Sequence, residues 1–356
     1  MAKYLKNDDL GQWLAELGTE YKIHAPVQEG RSIAFRPLTQ DKILRIDRHA
    51  TIGPKEILFP ACEELMHFSY EKDTDNPGRE KIRVQPADNA VPTLIFGSRP
   101  CDARGFDVFD GAFTQCAVKD NYYAARREQA VVVSIACTRT ENTCFCNWVG
   151  GSPDGTNGSD VLLTPIQDGF VVQPVTEKGE TLLQKGSLLT GAAPDQVREA
   201  EQLRAAACAS LPEAPDFKCM PEQLYNLFDN MDFWEKQSAK CISCGACTYL
   251  CPTCHCFNIT DERNGNEGER LRSWDNCMSR QFTQEASGHN PRPEKAYRLK
   301  NRVGHKFCYF PDLHEGHIAC VGCGRCIKSC PVSLDIRQVV TSAKECHLPA
   351  EETDNE

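Results

Sequence analysis

The apolar positions of the first two hundred residues follow two periods in alternation. Asp8–Leu17 carries the spacing of a short amphipathic helix, with Asn7 or Asp8 available as its N-cap. Apolar or alternating runs at Tyr21–Val27, Ser32–Leu38, Thr93–Phe96, Val131–Ala136 and Val161–Thr164 predict strands, and Gly169–Val175 predicts the return strand of a hairpin. Helical spacing predicts helices at Glu56–His67, Asp102–Phe113 and Asn121–Gln129. Strands and helices interleaved in this way imply an α/β domain over residues 1–192. Residues 193–240 read as a helical linker. Gln281–Ala286 and Leu334–Ala343 also read as helix, so residues 241–350 are expected to form an all-α, ferredoxin-like domain.

Composition adds a constraint that the pattern alone lacks. The chain has 356 residues, 40% of them hydrophobic, enough for two domains with real cores. Its formal net charge of −10 argues against a generic nucleic-acid or anionic-membrane surface. Twenty-one residues are cysteine, which demands a collective role: a disulfide framework or thiolate ligation of metal. The first eighteen residues show no apolar h-region, no twin arginine and no small-residue cleavage site, and no apolar run approaches membrane-spanning length. The expectation is a cytoplasmic protein without membrane insertion, in which thiols stay reduced.

The cysteine spacing favours metal. Cys241-x2-Cys244-x2-Cys247-x3-Cys251-Pro252 recurs as Cys320-x2-Cys323-x2-Cys326-x3-Cys330-Pro331, the bacterial ferredoxin signature written twice. Three thiolates in a tight loop grip three corners of an iron–sulfur cube, and the fourth corner is closed from the other run. Cys241, Cys244, Cys247 and Cys330 are thus assigned to one [4Fe–4S] cluster, and Cys320, Cys323, Cys326 and Cys251 to a second. Gly245, Ala246, Gly322 and Gly324 let backbone N–H groups approach the sulfurs, and Lys240, Arg325 and Lys328 bring positive charge. The competing reading is a pair of zinc sites, but zinc ribbons lack the third cysteine at x2 and the closing Cys-Pro. Between the runs, Cys254, Cys256 and Cys277 could hold a further metal or simply pack the core.

A third thiol set lies in the α/β region. Cys101 and Cys137 each follow an apolar strand, where ligands gather in open α/β sheets, and Cys144 and Cys146 point to the same side of extended backbone. These four are assigned to an additional [4Fe–4S] cluster, with four-thiolate zinc and unligated thiols as alternatives. Asp102 is a substitute ligand or an N-cap, and capping is the commoner use. Cys62, Cys116, Cys208, Cys219, Cys308 and Cys346 have no partner at ligand spacing and read as ordinary thiols; Arg126-Arg127 reads as a solvated face. The loop Gly150–Gly158 lacks P-loop spacing.

The strings GSRPCD, YYAARRE, IAC followed by CFCN, CISCGACTYLCPTCHCF, RLRSWDNC and CVGCGRCIKSCP resemble those of the iron–sulfur subunit family found in anaerobic sulfite reductase and, as the β subunit, in sulfhydrogenase. The resemblance covers about residues 90–150 and 240–335. It implies a non-catalytic iron–sulfur subunit relaying single electrons between a flavin- and nicotinamide-binding diaphorase subunit and a catalytic reductase or hydrogenase subunit. It also implies cluster roles for the eight ferredoxin-type cysteines and for Cys101, Cys137, Cys144 and Cys146, and an all-α ferredoxin type. The absence of GxGxxG after a strand, of a P-loop and of a sirohaem or nickel–iron pattern agrees with a relay. A free, soluble polyferredoxin-like carrier, a zinc-stabilised scaffold and a self-contained flavoenzyme are the alternatives.

Overall fold

A computed structural model describes residues 2–87, 90–185, 187–215 and 220–346. The chain divides into two compact units, each assembled from three separate stretches. The first comprises Met1–Thr140, Ser152–Ser210 and Pro252–Asp275; the second comprises Glu141–Gly151, Leu211–Cys251 and Asn276–Glu356.

The strands in chain order are β1 (Lys3–Lys6), β2 (Lys22–Glu29), β3 (Ser32–Pro37), β4 (Cys62–Lys72), β5 (Glu80–Pro86) and β6 (Thr93–Ser98). They continue with β7 (Ala130–Ile135), β8 (Val161–Ile166), β9 (Gly169–Pro174), β10 (Thr190–Gly191), β11 (Phe257–Asn264) and β12 (Glu267–Trp274). All belong to the first unit. Eight form a mixed sheet in the order β10-β1-β9-β8-β7-β6-β2-β3, whose centre, β2, β6, β7 and β8, is parallel. The continuous apolar runs at β6 and β7 follow from burial on both faces. Leu94, Phe96, Val131 and Val133 meet the helices Leu10–Leu17 and Glu177–Gln184 on one side. Ile95 and Val132 point the other way, to Phe106, Phe109 and Tyr123 of the helices Pro100–Phe113 and Asn121–Gln129. The α/β expectation for this region therefore holds.

Residues 56–67 differ from expectation. The helix there stops at Leu58, and β4 begins at Cys62. Pro60 supplies the reason: it disfavours helical backbone at Phe59, which sits at φ −129°, ψ 85°. β4 then joins a second, antiparallel sheet in the order β11-β12-β4-β5. Its centre is tied to the helix Asn121–Gln129 by buried charge. Glu63 on β4 pairs with Arg126, 2.5 Å away, and with Arg272 of β12, which also pairs with Asp120. Arg127 pairs with Asp110 at 3.1 Å, so the expected solvated Arg126-Arg127 face is instead internally paired.

The expectation of an all-α fold across 241–350 fails at β11 and β12. They form a hairpin whose register, Asn264 opposite Glu267, leaves a two-residue loop with Gly265 at φ 63°. That hairpin belongs to the first unit. The described residues of the second unit hold helices and no strand. The principal ones are Met220–Asn226, Met231–Ser238, Lys295–Gly304 and Ile336–Glu345, with a π turn at His305–Tyr309 extending the third. Gln281–Thr283 is one short 3-10 turn rather than the expected helix to Ala286.

Candidate metal centres

The two cysteine runs fold alike because they need the same backbone. Ser243 and Gly322, the residues before each second cysteine, take φ 57° and 65°. Gly245 and Gly324 follow that cysteine at φ 75° and 72° and open the short helices Ala246–Tyr249 and Arg325–Lys328. Left-handed backbone at matching positions curls each loop so that N–H groups point inward. The Ser243 N–H lies 3.4 Å from the Cys241 sulfur, and the Gly322 N–H bonds the Cys320 sulfur in the equivalent place. The Leu334 N–H approaches the Cys330 sulfur at 3.2 Å.

Two cavities in the second unit are lined by these thiols. Cys241, Cys244, Cys247 and Cys330 border the first, a space of about 570 Å³ that includes open solvent. Cys320, Cys323, Cys326 and Cys251 border the second, of about 310 Å³ counted in the same way. The second cavity thus receives three cysteines from one run and one from the other, and the first receives three from one run with Cys330 and the shared Cys326 from the other. The donor chemistry fits iron–sulfur ligation: soft thiolates on glycine-bearing loops with N–H groups aimed at sulfur. Among the described residues, no group of three or more His, Cys, Asp or Glu side chains closes on one point as a bare-ion site would; the thiols stand around the cavities instead.

Burial pushes the Cys247, Cys320 and Cys326 thiols up, since a thiolate in an apolar wall lacks solvation. Arg302 opposes that rise at all three. Its buried guanidinium borders both cavities and donates to the Cys247 carbonyl at 2.7 Å. The buried Lys306 borders the second cavity and donates to the Ala319 carbonyl. Neither stands out in the sequence, where nothing distinguishes them from surface cations. Of the three cations that do, Lys240 donates to the Ser333 carbonyl, Lys328 pairs with Glu141 at 2.8 Å, and Arg325 is buried.

The loop carrying Cys144 and Cys146 belongs to the second unit and packs on the second cysteine run. The Phe145 N–H donates to the Gly322 carbonyl at 2.9 Å, and Arg337 donates to the Asn142 carbonyl at 3.0 Å. A Cβ built on Gly322 would lie 2.4 Å from the Phe145 carbonyl oxygen, and one on Gly324 2.3 Å from that of Thr143. Glycine at both positions is therefore a condition of this docking. Cys144 and Cys146 are buried beside Leu211, with burial raising the Cys144 thiol.

Cys101 and Cys137 belong to the first unit and are also buried. They follow β6 and β7 at their carboxyl ends, above a buried hydroxyl row, Ser98 to Ser134 at 2.9 Å and Ser134 to Ser159 at 2.6 Å. The Cys137 sulfur lies 3.6 Å from Nε2 of His49. Asp102 is not the N-cap, which is Arg99; it sits in the first turn of the helix Pro100–Phe113 and its carboxylate accepts from the Arg99 N–H at 3.2 Å. Cys254 and Cys256 fall in the first unit and Cys277 in the second. Cys308 is buried, donates to the Pro221 carbonyl and is pushed up to about 12, mainly by burial. Cys116 and Cys208 bond carbonyl or carboxylate oxygens nearby, Cys62 is exposed and Cys346 half-buried, and Cys219 lies outside the described residues.

Residues 240–334 match the 4Fe-4S dicluster domain. The matched span contains all eight cysteines that border the two cavities. The chain is also similar to sulfhydrogenase 2 subunit beta of Pyrococcus furiosus, with 27% identity over 93% of this chain and 94% of that protein. No solved structure matches. Both findings agree with the iron–sulfur subunit resemblance carried by the sequence strings. No helix among the described residues is long and apolar enough to cross a membrane.

Proposed function

We propose that the chain is the iron–sulfur electron-transfer subunit of a cytoplasmic oxidoreductase complex. The crossed lining of the two cavities carries the reading, because a fourth thiol exchanged between two ferredoxin runs is what a pair of [4Fe–4S] clusters requires. Bound there, the clusters would supply one-electron transfer. The protein's share is to fix four thiols per cavity, aim N–H groups at sulfur and place buried cations in the walls, which together set the potential. The first cavity is the one within reach of a partner: Ile242, beside Cys241, is 61% exposed and Cys244 is exposed, whereas Cys251 and Cys320 of the second are buried.

A third [4Fe–4S] cluster on Cys101, Cys137, Cys144 and Cys146 is part of this proposal, supported by thiol type, burial and the strand-end positions of the first two. The partners proposed are a flavin- and nicotinamide-binding diaphorase subunit and a catalytic reductase or hydrogenase subunit. Similarity to a sulfhydrogenase subunit supports a multi-subunit assembly.

Iron, zinc and acid-labile sulfide per chain, with EPR of the dithionite-reduced protein, test the cofactor part. About 8 iron and 8 sulfide is the expected minimum and about 12 of each includes the third cluster. Stoichiometric zinc without sulfide refutes the reading. Affinity purification from anaerobic cells tests the partner part: absence of any diaphorase or catalytic subunit favours a free carrier.

A further inference from the structure

The two thiol cavities share a wall, and its charged member comes from outside both cysteine runs. Arg302 lies on the helix Lys295–Gly304, is 4% exposed and borders both cavities. A guanidinium stays protonated at every working pH, and a buried charge escapes salt screening. Lys306, one helical turn further on and 3% exposed, borders the second cavity but not the first. Their hydrogen bonds to the Cys247 and Ala319 carbonyls hold each cation in its wall.

We propose that Arg302 is the charge that sets the reduction potentials of both clusters together, while Lys306 adjusts the second alone. The inference rests on the [4Fe–4S] reading of the cavities. Each reduction adds one electron to a group that is already net negative, so a fixed positive charge in the wall favours the reduced form and raises the potential. Because it borders both cavities, Arg302 raises the two potentials in parallel, and the difference between them is left to groups such as Lys306 that border only one.

The test is an EPR-monitored redox titration of the anaerobically purified full chain, with iron and sulfide counted on the same samples. Arg302→Gln is expected to shift the reduction equilibrium of both clusters about tenfold toward the oxidised form, about 59 mV lower for a one-electron couple. Arg302→Lys is expected to stay within about threefold of the parent, and Lys306→Met to shift one cluster only. Full iron in Arg302→Gln with both potentials unmoved overturns the proposal, as does a shift confined to one cluster. If Arg302→Gln cannot hold iron, Arg302→Lys decides: full iron with parental potentials supports the charge, and equal iron loss in both variants overturns it. A parent chain without iron and sulfide refutes the cluster reading itself, a separate outcome seen before any variant is made.

Discussion

Gly245 and Gly324 occupy the same place in the two cysteine runs, with φ values of 75° and 72°, yet they face different neighbours. This makes a matched pair of substitutions informative. In either Ala variant, holding a non-glycine residue in left-handed backbone costs about 1–2 kcal/mol. At Gly245 the new Cβ meets the ring edge of Tyr249 at 3.1 Å and the Asn276 side chain at 3.2 Å, groups that can yield by small rotations. At Gly324 it lies 2.3 Å from the Thr143 carbonyl oxygen and 2.6 Å from its carbon. An ordinary carbon–oxygen contact is about 3.3 Å, so backbone must move by roughly 1 Å. Overpacking of that kind adds about 1–3 kcal/mol. Gly324→Ala is therefore expected to cost about 2–5 kcal/mol against about 1–2 for Gly245→Ala. For a cooperative unit of this size the gap is on the order of 5 °C in midpoint. The assay is thermal unfolding of the anaerobic holoprotein, read as loss of visible cluster absorption and release of iron. Equal losses in the two variants, or a larger loss at Gly245, would refute the claim that the Thr143–Cys146 loop docks on the second cysteine run.

Cys251→Ser and Cys330→Ser are expected to act on the opposite run's cluster. Loss of Cys251 should remove or convert the cluster of Cys320, Cys323 and Cys326, and EPR combined with iron counts reads which signal goes. Glu63→Gln leaves Arg126 and Arg272 buried without their shared carboxylate and should cost about 3–5 kcal/mol, seen as a lower urea midpoint in circular dichroism. His24 is held down at about 4 by burial and, secondarily, by Lys22. Its folded value lies below the usual 6.5, so the unfolded chain takes up a proton that the folded chain refuses. Stability should fall as pH drops from about 6.5 toward 4, and His24→Gln should flatten that slope; an unchanged slope counts against the assignment.

Much of the fold was legible where one physical rule acted locally. Strands buried on both faces are apolar along their middle, and Leu94-Ile95-Phe96 of β6, Val131-Val132-Val133 of β7 and Val161-Leu162-Leu163 of β8 are. Cluster ligation forces a fixed spacing on cysteine, so the eight thiols sort into two sets on spacing alone. The region at 56–67 carries its warning in Pro60, which outweighs an apparently helical spacing. The β11–β12 hairpin also has one, since Asn264-Gly265-Asn266 is a tight-turn string, but exposed strands rich in charge carry no hydrophobic period to announce them. What no local rule reveals is long-range company. Nothing near Cys146 in the sequence says that its loop packs on Gly322, and nothing in the string KNRVGHK says that Arg302 and Lys306 are buried while the neighbouring Asn301 is half-buried.

The interleaving of the two units bears on how the protein comes into being. The loop with Cys144 and Cys146 leaves the ribosome long before the Gly322 backbone it packs on, and β4 likewise waits for β12. Roughly 180 residues intervene in the first case, on the order of 10–40 s of synthesis. The first unit must wait for Asp275 and the second for the cysteine run at 320–330, so metal loading should be a late event, with nascent thiols exposed to oxidants in the meantime. No single proteolytic cut or gene truncation would release a self-sufficient small ferredoxin. A fragment starting at residue 240 would hold every ligand of both cavities yet lack Thr143–Cys146, the lid that closes over the second of them.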